Sequence, residues 1–569
     1  MGERLSRITE YLANRDFTER AATLAATVAV GQSFAPSLLP RKPLQQAVVT
    51  GLTASLVFGI SRTSQAGIES VAERIVPGTD KQSFNSRRLL AASANGVAVA
   101  FGLALQRAVP QRRGEPVKRA SVRTLGWQLS AAGSVGLAIT GMSAGLDLVG
   151  RRYGRLHPAL IPTGFVLGTV IATAEIAWYR RKQRQNSPPL SSLAQGAAVM
   201  TGVTALATAE GWTADVVAGL IKTRAPGFAG LAEPIGHLVA LAPLVGGAWA
   251  AVEYVYRATE NGGSAVEQAY QRPPTSPGAS GGPASQVSWD TLGREGRRFV
   301  NMLLPAKEIT AVTGLPARDP VRVFVGLASA PTVDARVALA MDELEALGAF
   351  DRKVLCLASP TGTGYVNYVV AETLEYLTEG DCATVALQYS LRPSFLSLDR
   401  VALGREQNRA LLHAINGRLR AIPEDRRPRF VGLGESLGAF TLQDAFLHEG
   451  TAGLHRAGMT RALFIGTPAE SKWAEQWRLD PGRWDPDGEV VEVASEEEWL
   501  ALPEQERAAA RYLLLSHHED PITKFSPAIA VQAPEWMSNG EGRSPAVPEG
   551  ARWRPFSTFL LTTVDVLNA

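Results

Sequence analysis

Cysteine is nearly absent from this chain: Cys356 and Cys382 are the only two in 569 residues, and each lies inside an apolar run. That count excludes a disulfide framework and a CxxC metal site, and it leaves two buried free thiols as the expectation. A strong charge of one sign is also lacking. The formal net charge is +3, which excludes the basic field that a nucleic-acid binder presents. Histidine is scarce, with seven residues and none beyond position 518. No spacing of His, Cys, Asp and Glu marks a metal site, and no cofactor motif is visible.

The mean hydropathy is near zero, but this averages two unlike halves. The first is built of Ala, Gly, Val and Leu blocks; the second reads as an ordinary enzyme. Stretches near Ala21–Leu39, Gln45–Ile60, Leu89–Val109, Leu125–Val149 and Ala159–Tyr179 are apolar enough to suggest membrane crossing, which takes about 20 residues. Leu193–Trp212 is a weaker candidate, and Ile235–Tyr256 completes a set of about six to seven spans. Small residues fill them, as in SANGVAVAFGLAL and SAAGSVGLAITGMSAG, and small residues let helix backbones approach closely in a bilayer. Trp178 and Tyr179 before Arg180, Arg181 and Lys182 fit an interfacial anchor. Basic residues occur on both sides of the spans, so the positive-inside rule ties. Asp147, Glu175, Glu210 and Glu233 fall mostly at span ends, and intramembrane charge is the only warrant for a transport reading.

The expected organisation is a multi-spanning helical domain over 1–256, a Pro/Gly/Ser-rich tether over 257–288 and an enzyme domain over 289–569. Trp289–Leu304 has apolar residues at helical spacing and is expected either to lie on the membrane as an amphipathic helix or to pack on the enzyme domain, with packing preferred. From Val321 onward strands and helices alternate. Strands are expected at Val321–Leu327, Val354–Ala358, Ala383–Tyr389, Arg429–Leu433, Ala462–Ile465 and Tyr512–Leu515. Helices are expected at Asp334–Leu347, Val366–Leu377 and Gly404–Ala421, and after Arg429–Leu433. This alternation predicts a mainly parallel sheet covered by helices on both faces.

Gly-x-Ser-x-Gly occurs three times: GMSAG at Gly141–Gly145 in an expected span, GASGG at Gly278–Gly282 in the tether, and GESLG at Gly434–Gly438. Only the last follows a strand and opens a helix. That setting is the nucleophile elbow of the α/β-hydrolase fold, in which a tight turn presents the serine hydroxyl above the sheet. Ser436 is therefore the candidate nucleophile, against the bland alternative of a capping serine. The N–H of Leu437 is expected in the oxyanion hole. The loop SPTGTGY, with Thr361 and Gly362, is expected to supply the second donor; no Lys-Ser/Thr follows it, so it is not a P-loop. Asp520, just after Tyr512–Leu515 in SHHEDPIT, is the candidate acid, with Glu519 second; a turn aspartate before Pro521 is the alternative. The fold places its base after the acid, and no histidine follows Asp520. Three readings stay open: the base lies beyond Ala569, His517 or His518 swings in, or the domain is inactive. The first is preferred, because FSTFLLTTVDVLNA stops inside an apolar helical segment.

DPVRVFVGLASA, GAFDRKVLCLASPTGTGY, GDCATVALQYS, GESLGAF and HHEDPI together resemble the actinobacterial membrane-anchored α/β-hydrolase family, and PSLLPR after the first span resembles the signature of its N-terminal region. The resemblance implies Ser436 as nucleophile and Asp520 as acid. It also implies a Gly- and His-rich continuation past TTVDVLNA, and Trp where this chain has Tyr365. The expectation is an integral protein of a bacterial cell membrane that cleaves an ester, with lipid as the candidate class and the bilayer as its partner. Acyl transfer from the same site, an inactive hydrolase-like scaffold and a transporter are the rivals.

Overall fold

A computed structural model describes residues 17–77, 81–112, 115–153, 163–182, 201, 213, 216–224, 267–392, 397–538 and 542–568. The chain divides into two compact units: Met1–Pro243 with Ser526–Ala569, and Leu244–Phe525. This departs from the single expected domain over 289–569, because the last segment of the chain packs with the N-terminal helices.

In the first unit α1 (Phe17–Ser33), α2 (Pro43–Ile75), α3 (Lys81–Ala108), α4 (Val117–Tyr153) and α5 (Thr163–Lys182) are long and Gly/Ala-rich. Glycine sets their spacing. A Cβ on Gly102 would strike the Gly126 carbonyl of the facing helix, and one on Gly31 would lie 2.8 Å from the Ala172 Cα. Polar side chains are buried between helices: Gln65 Nε2 donates to Asn95 Oδ1 at 2.9 Å and to the Ala132 carbonyl at 2.8 Å. The closing helix, Ser557–Asn568, turns Asp565 onto the loop after α1. There Ser37 Oγ donates to its Oδ1 at 2.9 Å and the Leu38 N–H to its Oδ2 at 3.0 Å. The PSLLPR segment is thus pinned by a carboxylate more than five hundred residues away.

Among the described residues two stretches, Pro43–Glu69 and Ser86–Ala108, are long and apolar enough to cross a membrane, and Gly164–Tyr179 is a shorter apolar helix. That is fewer than the spans expected. The helix α1 is too short, at 17 residues, and α4 is long but diluted by Gly, Ser and Thr. The Leu193–Trp212 span falls outside the described residues except at position 201, and Ile235–Tyr256 falls wholly outside them.

The second unit is a seven-stranded, fully parallel sheet in the order β1-β3-β2-β4-β5-β7-β6. Its strands are β1 (Val321–Val325), β2 (Val354–Ser359), β3 (Cys382–Leu387), β4 (Arg429–Glu435), β5 (Met459–Ile465), β6 (Val490–Val493) and β7 (Tyr512–Leu515). β1, β2 and β3 are buried at every position, as strands covered by helices on both faces must be. β6 was not anticipated: it is four residues long with Glu492 in its middle. Cys356 and Cys382 are free and buried.

Helices α6 (Arg294–Asn301), α7 (Val333–Ala346), α8 (Tyr368–Leu377), α9 (Val401–Arg420) and α10 (Leu437–Gln443) cover the sheet. α6 packs on β1, where a Cβ on Gly296 would lie 2.6 Å from the Phe324 ring. Residues 267–288, expected as part of a tether, are held down. Ala279 and Ser280 are fully buried. The Arg322 N–H donates to the Gly278 carbonyl at 2.9 Å, and the Ser280 N–H to the Arg322 carbonyl at 3.0 Å. Buried Glu343 on α7 accepts from Ser280 Oγ at 2.8 Å and the Gln286 N–H at 2.6 Å. This strap caps the open edge of β1, where unpaired backbone groups would otherwise stay exposed.

Candidate active site

β4 runs directly into α10 through Ser436, whose φ of 52° and ψ of −122° lie where an L-residue is strained. Such strain, about 1–3 kcal/mol, persists only where surrounding structure imposes it, and it marks functional turns. The turn is imposed on all sides. The Ser436 N–H donates to the Ile465 carbonyl on β5 at 2.8 Å, and its carbonyl accepts from the Phe440 N–H at 3.2 Å. A Cβ on Gly434 would sit 2.7 Å from the Ala439 Cα, and one on Gly438 would strike the Ser359 carbonyl at the end of β2. Only glycine fits at either place, which is why GxSxG carries meaning here. The two other copies have different fates: GMSAG lies within α4, and GASGG is the buried strap, with Ser280 bonded to Glu343.

The floor beneath the elbow is a buried polar lattice. Ser359 and Thr441 share a hydroxyl hydrogen bond of 2.9 Å, and Asn408 Nδ2 on α9 donates to Ser359 Oγ at 3.0 Å. It joins β2, α9 and α10, and so fixes the direction in which Ser436 faces.

Leu437 is the first residue of α10, so its N–H has no acceptor within the helix. The loop 361–365 is where the second oxyanion donor is expected. Its shape is firm: the Thr363 carbonyl accepts from Gln388 Nε2 at 2.8 Å, and Gly364 packs on that side chain with φ of 92°. The Thr361 N–H, however, donates to the Tyr365 carbonyl at 2.9 Å. Its turn consumes the donor expected to face the substrate. Gly362 lies at the tip of the same turn.

Asp520 stands at the same edge of the sheet. Its Oδ2 lies so close to Gly466, the residue after Ile465, that a Cβ there would be 2.8 Å from it. Its Oδ1 accepts from the Ile522 N–H at 2.8 Å, and Thr523 Oγ1 donates to its carbonyl at 2.9 Å. Burial pushes its pKa up from the ordinary aspartate value because desolvation disfavours the charged form. Glu519 is exposed.

Sequence reasoning missed two neighbours. Glu435, the residue before the nucleophile, has Oε1 accepting from Asn367 Nδ2 at 3.2 Å, while its buried Oε2 has no hydrogen-bond partner. Burial first, and then the charge of Asp520, raise its pKa. Asn367 caps α8 by accepting from the Val369 N–H at 3.1 Å, so one side chain fixes that helix and binds the carboxyl. The signal was present in GESLG, an ionisable residue inside the elbow, but its partner comes from a different loop.

The histidines are elsewhere. His517 is exposed, and its carbonyl accepts the Asp520 N–H at 3.1 Å. His518 Nε2 pairs with Glu498 Oε1 at 2.7 Å. His455 pairs with Glu489 and His448 with Gln476, and His413 is exposed on α9. Among the described residues no histidine is hydrogen-bonded to Ser436 or Asp520. His157 and His237 lie outside the described residues.

The site thus combines a strained serine at a helix start, a helix-terminal amide and two half-buried carboxyls, all at the carboxyl ends of parallel strands. Residues 321–569 match an alpha/beta-hydrolase family, and residues 177–302 match an alpha/beta-hydrolase family N-terminus. No curated protein and no solved structure matches the chain. With an elbow of this geometry inside the matched region, the chain belongs to an alpha/beta-hydrolase family.

Proposed function

We propose that the chain is a membrane-anchored serine hydrolase that cleaves an ester, with lipid esters as the substrate class, and that Ser436 is its nucleophile. The observation that carries this reading is the φ of 52° and ψ of −122° at Ser436 between β4 and α10. In the proposed reaction Ser436 Oγ attacks the acyl carbon and its proton passes to a base. The carbonyl oxygen gains negative charge near the Leu437 N–H, where a preorganised donor stabilises it. The alkoxide leaves with a proton, and water then releases the acyl group. His517, on the turn that carries Asp520, is the proposed base, and Asp520 orients it. Replacing the water by an alcohol would give acyl transfer with the same residues.

The membrane part rests on the outer faces of the first unit. Leu44, Val48, Leu52 and Leu56 recur every fourth residue along α2 and are 68, 36, 39 and 38% exposed. Leu89, Val97 and Phe101 continue this pattern on α3. An apolar stripe of this size suits lipid rather than water, and it is the reason for preferring a lipid ester.

A second reading, a hydrolase-like scaffold without activity, is favoured by the lack of a histidine bonded to Ser436 or Asp520 among the described residues. Without a base a serine hydroxyl is a weak nucleophile. A fluorophosphonate probe decides between the two: labelling of the chain that disappears in Ser436→Ala supports the hydrolase, and no labelling supports the scaffold.

A further inference from the structure

The first unit contains a partly open cavity of about 150 Å³ between α1, α2, α4 and the start of the closing helix. Its walls are mostly apolar, with Val28, Val57, Ile60, Trp127 and Phe556 among them. Gln32, Gln128 and Ser557 also line it. None of these three side chains has a hydrogen-bond partner among the described residues. Their amide and hydroxyl groups are therefore available to a guest's carbonyl or carboxyl. An apolar cavity of about this size accepts about six heavy atoms, and its open side lets the rest of a longer chain run out of it.

Phe556 supplies a second, independent observation. Its φ is 60°, in the left-handed region, which a bulky residue occupies only under constraint. Its N–H donates to the Ala530 carbonyl at 3.0 Å, and this strained turn places the residue on the cavity wall. Val57 and Ile60 belong to Pro43–Glu69, which is long and apolar enough to cross a membrane.

We propose that this cavity binds the chain of a medium-length aliphatic carboxylic acid, with the methylenes among Val28, Val57, Ile60 and Trp127 and the carboxyl at the amides of Gln32 and Gln128. The site is separate from Ser436 and does not depend on whether Ser436 reacts.

The test is photolabelling of the full chain in phospholipid nanodiscs with a diazirine-bearing octanoic acid, followed by peptide mapping. Labels are expected on the segments around Val57–Ile60 and Trp127–Val135, and unlabelled octanoic acid should displace them. Ala131→Leu places further carbons in the cavity and should lower labelling there about tenfold, the loss expected when two methylenes are excluded. Gln128→Leu keeps the volume of the site but removes an amide, and should weaken competition by the acid. Labels spread over the outer faces near Leu52 and Phe101, unaffected by competitor or by either variant, would overturn the proposal. If Ala131→Leu fails to fold, competition on the unaltered chain and Gln128→Leu still decide.

Discussion

The two units solve burial in opposite ways. In the hydrolase unit the large apolar side chains are inside: Phe324, Phe430, Phe464, Leu355 and Leu357 are all 0–1% exposed. In the helical unit many large apolar side chains face outward, with Leu44 at 68%, Leu89 at 70% and Val97 at 66%, while Gln46, Gln65 and Asn95 are fully buried. Water drives the first arrangement, since it penalises apolar surface. If, as proposed, the helical unit lies in lipid, that drive vanishes there, and close packing with interhelical hydrogen bonds takes its place. Glycine shows the same contrast. At Gly434 and Gly438 it permits one strained turn, whereas at Gly31, Gly102 and Gly126 it brings whole helices together.

The sharpest cut through this comparison is chemical. Ser436→Ala is expected to abolish fluorophosphonate labelling entirely while leaving the melting of both units unchanged. Persistent labelling would move the nucleophile elsewhere.

The next largest effect tests where apolar burial counts. Leu355→Ala in β2 should cost about 2–5 kcal/mol, and calorimetry in detergent should show a lowered transition. Leu52→Ala on the outer face of α2 should change stability by less than about 0.5 kcal/mol. Equal losses would erase the contrast.

Smaller again is the buried amide pair. Gln65→Leu leaves Asn95 and the Ala132 carbonyl short of a partner, and should lower helical-unit stability by about 1 kcal/mol. A stabilised variant would show that packing alone holds α2, α3 and α4 together.

The finest effect is in pH. Burial raises the pKa of both Asp520 and Glu435, and the Asp520 charge pushes Glu435 higher still. Each carboxyl therefore takes up its proton at a higher pH than an ordinary carboxylate as the solution is acidified. If labelling needs Asp520 ionised, it should fall along a one-proton limb as pH drops through mild acid. Glu435→Gln removes the like charge beside Asp520, and the limb should move to lower pH. An unchanged profile would separate Glu435 from the reactive serine.

The elbow was legible in advance because its information is local: a buried strand, two glycines and a helix start lie within a few residues. Six of the seven strands were legible for the same reason. β6 was not, since a short segment carrying Glu492 lacks the apolar run that marks an interior strand. The strap 267–288 was read as a tether from its composition, yet β1 and Glu343 bury it; composition reports what a segment prefers alone, not which unpaired edge it meets. Thr361 was read as a donor from its place in a Gly-rich loop, but only the folded turn shows the Tyr365 carbonyl taking its N–H.

The sequence alone determined the parallel α/β pattern, the position of Ser436 and the apolar, small-residue character of the first half. All three follow from periodicity and spacing, which act over one element at a time. Tertiary structure alone decided that Asp520 lies against Gly466, that Glu435 is half-buried beside the nucleophile with its buried Oε2 unpaired, and that the closing helix returns to pin Ser37 and Leu38. These contacts join residues far apart in the chain, and their energies come from desolvation and hydrogen bonding that exist only once the strands and helices have been brought together.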